Sequence, residues 1–149
     1  MEGGVSGVDE DWFVQEADQA GHLTRLAERA QATFWGVLGC EVVQANASKA
    51  TICLDASDRH MNLLGIVHGG VLMSLLDNAM GLVVMLAAPE ERSVTANLNT
   101  QFLSSSKGGV IICEAELVHR TARTLTLQAQ IRDDSGKLLG LGSGAYRII

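Results

Sequence analysis

The sequence predicts an α+β domain in which an antiparallel sheet of five or six strands surrounds one long, buried helix. Two observations lead to this fold class. A stretch of about sixteen mostly apolar residues follows Gly69 and Gly70, and its apolar residues lie on every side of a helical wheel. Several segments with period-two alternation come after it, too closely spaced for crossover helices, so they must pair antiparallel. At 149 residues, the chain fits a single domain.

The first part of the chain is predicted to be a helical arm. Residues 1–8 are glycine-rich and are expected to be frayed, whereas residues 9–35 carry apolar side chains at helical spacing. This spacing predicts one or two amphipathic helices. We expect Gly36 to end the helical pattern. Residues 1–35 therefore form an arm that is not a separate domain, and residues 36–149 form the domain proper.

The remaining elements follow from alternation and turn residues. An Asn46-Ala47-Ser48 sequence predicts a tight turn that joins the first two strands into a hairpin. The segment 56–67 lacks periodicity and is expected to be a loop, and Pro89 is expected to stop the long helix that follows it. After this helix we expect a meander of strands. Strands are predicted at residues 41–47, 49–55, 94–103, 110–118 and 124–131, with a last strand ending at Ile149.

Composition and charge exclude some function classes and predict a location. The net charge of −6 argues against nucleic-acid binding, because that function needs a basic face to displace counterions from phosphates. The three cysteines, Cys40, Cys53 and Cys113, lie far apart in apolar stretches and are expected to be reduced. No export signal is visible at the acidic N-terminus. We therefore expect a cytoplasmic protein.

A membrane span is not expected, although the run of residues 71–88 approaches the required length. Polar and small residues interrupt this run, and strand-like segments follow it closely. A charged side chain inside a membrane span is costly, which makes Asp77 in particular unfavourable there. The run is therefore interpreted as the buried helix of the domain.

Asp77 is the most informative residue, because an ionised carboxylate in an apolar helix costs several kcal/mol without partners. Gly70, Ser74 and Gly81 share its face of the helical wheel, so that the face is lined with small residues. Space beside the carboxylate is thus predicted, and a substrate chain or a second subunit could occupy it. The alternative is that Asp77 caps a neighbouring backbone group and has only a structural role.

The start of the predicted helix offers a second chemical feature. His68, Gly69 and Gly70 expose backbone N–H groups that the helix does not use, and the glycines allow a ligand atom to come close. Together with the helix dipole, these donors can stabilise an oxyanion. A carboxylate and an oxyanion hole are two components of acyl hydrolysis, in which the carboxylate activates water or attacks directly. The two glycines could also serve packing alone.

These residues form a pattern that resembles a known family. The sequence Asn62-x-x-Gly65-x-x-His68-Gly69-Gly70, followed by Leu76-Asp77-x-Ala79, resembles the hotdog-fold acyl-CoA thioesterases of the phenylacetate-degradation (PaaI-like) branch, within the 4-hydroxybenzoyl-CoA thioesterase superfamily. The order of elements agrees over about residues 36–149. The resemblance implies a long central helix wrapped by a curved antiparallel sheet, homodimers with shared active sites, often paired into tetramers, and neither a metal nor a cofactor beyond coenzyme A in the substrate.

The resemblance also implies a role for individual positions. Asp77 would be the general base or the nucleophile, and Asn62 would orient the water or the thioester. The backbone N–H of Gly69 or Gly70, beside His68, would polarise the thioester oxygen. Thr95 corresponds to a hydroxyl that positions water in relatives, where serine is commoner.

Basic residues are the candidate contacts for the phosphates of coenzyme A, because an acidic protein must concentrate positive charge where such an anion binds. Arg120 and Arg123 flank a predicted turn between two strands, and Lys107 lies in a loop with several serines and glycines. Each alone could be an ordinary solvated side chain. His60, with Asp58 and His68, shows no complete set of metal ligands, so no metal site is predicted.

Three functions are compatible with these observations. Hydrolysis of an acyl-CoA thioester is the leading hypothesis. A non-hydrolytic acyl-CoA binding or regulatory module on the same fold is the alternative from a different class. A hotdog dehydratase is the third, disfavoured because the spacing of Asn62 and Asp77 matches thioesterases.

Overall fold

A computed structural model describes the backbone of residues 9–149 and the side chains from residue 20 onward. The expectation for residues 1–8 lies outside this part of the chain. Two helices, α1 (Asp9–Ala30) and α2 (Phe34–Leu38), precede the hairpin of β1 (Glu41–Ala45) and β2 (Lys49–Ala56). The long helix α3 (Gly69–Ala87) follows, and then come β3 (Ser93–Phe102), β4 (Gly109–Arg120), β5 (Thr124–Asp133) and β6 (Leu138–Ile148).

The end of the helical arm differs from the prediction. Gly36 does not end the helical pattern but lies inside α2, which ends before Gly39 in the left-handed conformation, with φ of 86°. A side chain at position 36 would collide with the backbone of Gln31, because its Cβ would lie 1.9 Å from the Gln31 carbonyl oxygen. Glycine at this position therefore permits a tight passage from α1 into α2. The boundary drawn after residue 35 consequently falls within a helix.

The six strands form one antiparallel sheet in the order β1-β2-β4-β5-β6-β3. The hairpin turn is closed by Asn46, whose side-chain oxygen accepts hydrogen bonds from the backbone N–H groups of Ser48 and Lys49. The predicted meander is wrong for β3, which pairs with β6 and not with its neighbour in sequence, β4. The loop from Leu103 to Gly108 lets β4 pair with β2 instead. As a result β3 forms one edge of the sheet.

Helix α3 lies against the inner face of this sheet and forms the centre of the core. Its length and composition would allow it to cross a membrane, a test that the core helix of a soluble protein also passes. Nine of its residues are buried, and it contacts every strand from β2 to β6. The inner face of β6 carries glycines, and a Cβ at Gly142 would lie 3.0 Å from Leu76 Cδ1 of the helix. The architecture is the α+β hotdog fold, as the resemblance implied.

Candidate active site

Asp77 is held by two hydroxyl groups from the strands that pack against α3. Thr95 on β3 donates a hydrogen bond from Oγ1 to Asp77 Oδ1 at 2.8 Å. Tyr146 on β6 donates from its phenolic hydroxyl to the same oxygen at 2.7 Å, and also reaches the backbone carbonyl of Asp77 at 3.2 Å. Because β3 pairs with β6, Thr95 stands directly opposite Tyr146 in the sheet. The carboxylate thus has hydrogen-bond partners that offset part of its desolvation.

Tyr146 is a member of this site that the sequence analysis missed. Its side chain is 3% exposed, and burial, together with the adjacent Asp77 carboxylate, raises the pKa of its phenol far above the usual range. The phenol therefore keeps its proton and remains a donor. The sequence did contain a signal for Tyr146. Gly142, Gly144 and Tyr146 are spaced by two residues, so they lie on the same face of β6. A tyrosine that faces a core needs a partner for its hydroxyl, and Asp77 is the only acidic residue of α3.

An apolar cleft lies beside the carboxylate, between α3 and the helical arm. Its volume is about 450 Å³, which is within the size range of ligand pockets. Asp77, Gly81 and Thr95 border it on the side of α3 and β3. The space that the small residues of this helix face predicted is therefore present next to Asp77. The apolar lining comes largely from the arm and α3: Leu26, Ala27, Ala30, Phe34, Trp35, Val42, Leu82 and Met85.

The amino end of α3 contains one free and one occupied backbone donor. His68 is the N-cap residue, and its Nδ1 accepts a hydrogen bond from the backbone N–H of Gly70 at 2.7 Å. In the described part of the chain, the N–H of Gly69 donates to no protein group. Of the two predicted oxyanion donors, Gly69 is therefore the one that remains available to a ligand. The ring of Phe102 lies 3.3 Å from the position that a Cβ at Gly69 would take.

Asn62 shapes the loop in front of α3. Its side-chain oxygen accepts hydrogen bonds from the backbone N–H groups of Leu64 at 2.9 Å and Ile66 at 3.3 Å. The side-chain NH₂ donates to none of the described residues. Asn62 can therefore act on a ligand only as a donor, since its acceptor is used within the loop.

The predicted basic contacts do not come together in one chain. Arg120 and Arg123 flank the turn after β4, and Arg120 donates to the backbone carbonyl of Ala87 at the carboxyl end of α3. Lys107 lies just before β4, at the other end of this twelve-residue strand, which spans roughly 36 Å. Arg120 and Lys107 therefore lie at opposite ends of the domain. The three side chains are exposed.

His60 has a structural role. It is buried, its Nε2 lies 2.7 Å from the carbonyl oxygen of Leu38, and its Nδ1 accepts from the backbone N–H of Ser57 at 2.9 Å. Both ring nitrogens are thus occupied by backbone groups. Among the side chains that the structure describes, from residue 20 onward, no group of three His, Cys, Asp or Glu is arranged to hold a metal ion.

A second groove of about 610 Å³ lies on the outer face of the sheet, away from α3. Its lining is polar and includes Glu114, Glu116, Gln128 and Gln130 from the middle strands. It contains neither Asp77 nor any residue from the amino end of α3. Of the two spaces, only the apolar cleft contains Asp77 and Thr95.

The hotdog fold here places a hydrogen-bonded carboxylate beside an apolar cleft and a backbone donor at the start of the same helix, an arrangement that suits hydrolysis of a thioester. Residues 64–139 match the family model of the thioesterase superfamily. The chain therefore belongs to the thioesterase superfamily and is an enzyme of this class. This finding confirms the resemblance that the motif around Asp77 indicated.

Comparison with individual proteins agrees with this assignment. The chain is 27% identical over 103 residues to the 1,4-dihydroxy-2-naphthoyl-CoA hydrolase of Listeria monocytogenes, covering 68% of this chain and 84% of that protein. A thioesterase from Haemophilus influenzae shares the fold with a TM-score of 0.80 at 21% identity, over 85% of this chain and 90% of that one. The phenylacetic acid degradation protein PaaI from Thermus thermophilus also shares it, with a TM-score of 0.72 at 24% identity, over 78% and 98%.

Proposed function

We propose that this protein hydrolyses an acyl-CoA thioester to the free acid and coenzyme A, with Asp77 as its catalytic carboxylate. The observation that carries the proposal is the Asp77 carboxylate, fixed by Thr95 and bordering an apolar cleft, in a member of the thioesterase superfamily. The Listeria relative, named as a hydrolase of an acyl-CoA, supports the choice of thioester. The acyl group itself, aromatic or aliphatic, is left open.

The reaction needs one proton acceptor and one oxyanion donor. With Asp77 as general base, water adds to the acyl carbonyl carbon while its proton passes to the carboxylate and the carbonyl electrons move to the oxygen. The N–H of Gly69 stabilises this oxyanion, and the amide NH₂ of Asn62 orients the water or the thioester. Collapse of the intermediate breaks the C–S bond, and coenzyme A leaves as a thiolate. In the alternative course Asp77 attacks the carbonyl itself, and water then hydrolyses the mixed anhydride.

The complete site requires two subunits. Asp77 and Gly69 are eight residues apart on α3, which separates them by roughly 12 Å along the helix axis. A thioester carbonyl whose oxygen lies about 3 Å from an oxyanion donor cannot reach the carboxylate of the same chain. We therefore propose a homodimer in which Asp77 and Thr95 of one subunit face Asn62 and Gly69 of the other, with dimers paired into tetramers.

The exposed surface of the chain supports this dimer. Among the strands of residues 9–149, β3 pairs with β6 alone and offers an edge of ten residues, where a second copy could add its own β3. Leu63 and Leu64, in the loop that Asn62 shapes, are 106% and 81% exposed. Adjacent leucines with this exposure are unfavourable in water, and a second subunit would cover them.

The apolar cleft is the proposed site of the acyl group. Its opening at Asp77 would bring the carbonyl carbon to the carboxylate while the arm covers the apolar chain. The phosphates of coenzyme A would then lie outside the cleft, where Arg120, Arg123 or Lys107 remain the candidate contacts. No metal or redox cofactor is proposed. A reducing cytoplasmic location is proposed on the basis of the three free cysteines.

Release of free thiol from a panel of short, long and aromatic acyl-CoAs tests the proposal. The wild-type protein should release coenzyme A, whereas Asp77→Asn should lose activity by about 10²- to 10⁴-fold while keeping its fold, because the amide cannot accept the proton. The amide oxygen can still accept hydrogen bonds from Thr95 and Tyr146, so a change in fold is not expected. Undiminished thiol release by Asp77→Asn would contradict the assignment of Asp77.

The two other functions give different results in the same experiment. A binding or regulatory module would bind acyl-CoA, detected by calorimetry, without releasing thiol. A dehydratase would act on a hydroxyacyl-CoA and change its absorbance without cleaving the thioester. The fixed carboxylate of Asp77 favours hydrolysis over binding alone, because a binder gains nothing from a desolvated charge beside an apolar cleft.

A further inference from the structure

The two oxygens of the Asp77 carboxylate have different surroundings. Both hydroxyl donors, from Thr95 and Tyr146, contact Oδ1. Oδ2 accepts no hydrogen bond from any described residue. The torsion that turns an aspartate carboxylate is intrinsically broad, so without these partners the two oxygens would exchange places easily. The hydroxyl groups remove this freedom, since each rotation of the carboxylate would break two hydrogen bonds.

Tyr146 is the more rigid of the two donors. Its ring is buried, and its hydroxyl reaches both the side chain and the backbone of Asp77. Glycines flank the ring on both sides: a Cβ at Gly144 would lie 2.9 Å from Tyr146 Cε2, and a Cβ at Gly81 would lie 3.8 Å from Cε1. The sequence thus leaves room for this ring at this position. A buried tyrosine between a strand and the catalytic helix is fixed by packing rather than by its hydrogen bond alone.

We propose that Tyr146 is a positioning residue for hydrolysis, which together with Thr95 fixes Oδ1 of Asp77 and thereby makes Oδ2 the oxygen that reacts. The inference rests on the proposed function, because it assigns the reacting atom of Asp77. With Asp77 as base, Oδ2 takes the proton from water; with Asp77 as nucleophile, Oδ2 forms the bond to the acyl carbon. Tyr146 also borders the cleft, but it keeps its own proton in both courses and acts on the reaction through Asp77.

The hydrogen bond from Tyr146 ends on a carboxylate oxygen, and hydrogen bonds to charged groups are stronger than those between neutral groups. Removal of the hydroxyl should therefore be visible both in kcat and in the dependence of kcat on pH. The Tyr146→Phe variant retains the ring and its packing. We expect its kcat to fall about ten-fold with KM unchanged, the size expected for one hydrogen bond to a charged group. The acid limb of its pH profile, where kcat falls towards low pH, should move to higher pH.

A second, opposite perturbation is available because Tyr146 is the only tyrosine of the chain. Biosynthetic replacement of tyrosine by 3-fluorotyrosine changes this residue alone and makes its phenol a stronger donor. The fluorine at Cε can point towards Gly81, where the helix has no side chain. We expect the acid limb to move to lower pH, opposite to the effect of Tyr146→Phe. A residue with a purely structural role would not shift the limb in two directions.

Thr100→Val serves as the matched control for loss of a buried hydroxyl. Thr100 lies on β3 like Thr95, but its Oγ1 is buried and contacts no polar group in the described residues. The kcat, KM and pH profile of Thr100→Val should equal those of the wild type.

The possible outcomes separate this inference from the proposed function. If the wild type is active and Tyr146→Phe keeps the wild-type kcat and acid limb, the positioning role is wrong although hydrolysis stands. If Tyr146→Phe does not fold, the fluorotyrosine protein decides, and an unmoved limb overturns the role. Absence of thiol release from the wild type overturns the proposed function and this inference together.

Discussion

His68 and Asp77 line two different grooves beside α3, and Phe34 of the helical arm is the residue that borders both. The groove at His68 contains Gly70 and Ser74 from the first two turns of the helix, whereas the cleft at Asp77 contains Gly81. The small residues that share one face of the helical wheel therefore serve two separate spaces. The cleft at Asp77 also contains Thr95, but Asn62 and Gly69 do not line it. In the proposed site these two pairs of groups therefore meet across subunits.

The first prediction is complementation between two inactive variants. Asp77→Asn and Asn62→Asp each inactivate a different half of the site. In a mixed dimer, one of the two sites receives wild-type Asp77 from one chain and wild-type Asn62 from the other. Random mixing of the two chains should therefore restore about a quarter of the wild-type activity, since half of the dimers are mixed and each has one intact site. Thiol release by the unfractionated, co-expressed mixture measures this, whereas mixed dimers selected through two affinity tags should have about half of the wild-type activity. A mixture no more active than the separate variants would refute the shared site.

The second prediction concerns the side-chain amide of Asn62. Asn62→Asp keeps the oxygen that accepts from Leu64 and Ile66, so the loop should keep its shape. The substitution replaces the free NH₂ donor by a second, negatively charged oxygen. We expect kcat to fall about 10²-fold or more, comparable to the loss of one oxyanion-hole donor, and the free energy of unfolding to change little. Steady-state kinetics and urea unfolding check the two parts. Wild-type kcat in a folded variant would remove Asn62 from the site.

The third prediction tests the apolar cleft as the acyl site. Ala30, on α1, lines the cleft opposite α3. A phenylalanine at this position would occupy part of its volume. For Ala30→Phe we expect kcat/KM to fall about 4- to 15-fold for long or aromatic acyl-CoAs and to stay near wild type for acetyl-CoA, because one or two displaced methylene groups each cost about 0.8 kcal/mol. Equal effects on all chain lengths would place the acyl group elsewhere.

The sequence predicted the central features of the fold and site because they depend on local pattern. The apolar run predicted helix α3, and the period-two alternation predicted strand β5. The spacing of Asn62, His68 and Asp77 indicated the family. The pairing of β3 with β6 was not predictable from alternation, because alternation identifies a strand but does not say which other strand lies beside it. It is this pairing that brings Thr95 opposite Tyr146.

Two finer features also lay beyond the reach of sequence spacing. The choice between Gly69 and Gly70 depends on the conformation of the His68 side chain, which occupies the N–H of Gly70. The hydroxyl of Tyr146 reaches Asp77 across 69 residues of chain, so that only the packed sheet reveals the contact. Local pattern determines the elements here, whereas the partners of a polar side chain depend on long-range packing.

The fourth prediction uses the two glycines beside the Tyr146 ring. A Cβ at Gly144 would lie 2.9 Å from the ring, closer than real contacts, and 3.1 Å from Met80 Cε, a tight contact. A Cβ at Gly81 would lie 3.8 Å from the ring, an ordinary contact. Gly144→Ala should therefore lower the free energy of unfolding by about 1–3 kcal/mol through overpacking. Gly81→Ala should raise it by about 0.5–1 kcal/mol, because alanine favours the helix.

These two variants should also differ in activity, because only the first displaces the Tyr146 ring. For Gly144→Ala we expect a loss of kcat and an acid limb shifted in the same direction as in Tyr146→Phe. In Gly81→Ala the hydrogen bond from Tyr146 to Asp77 should persist, and the acid limb should stay in place. Urea unfolding and the pH profile of thiol release measure both effects on the same samples. If Gly144→Ala is destabilised but keeps the wild-type pH profile, the glycine serves core packing and has no part in holding the tyrosine against Asp77.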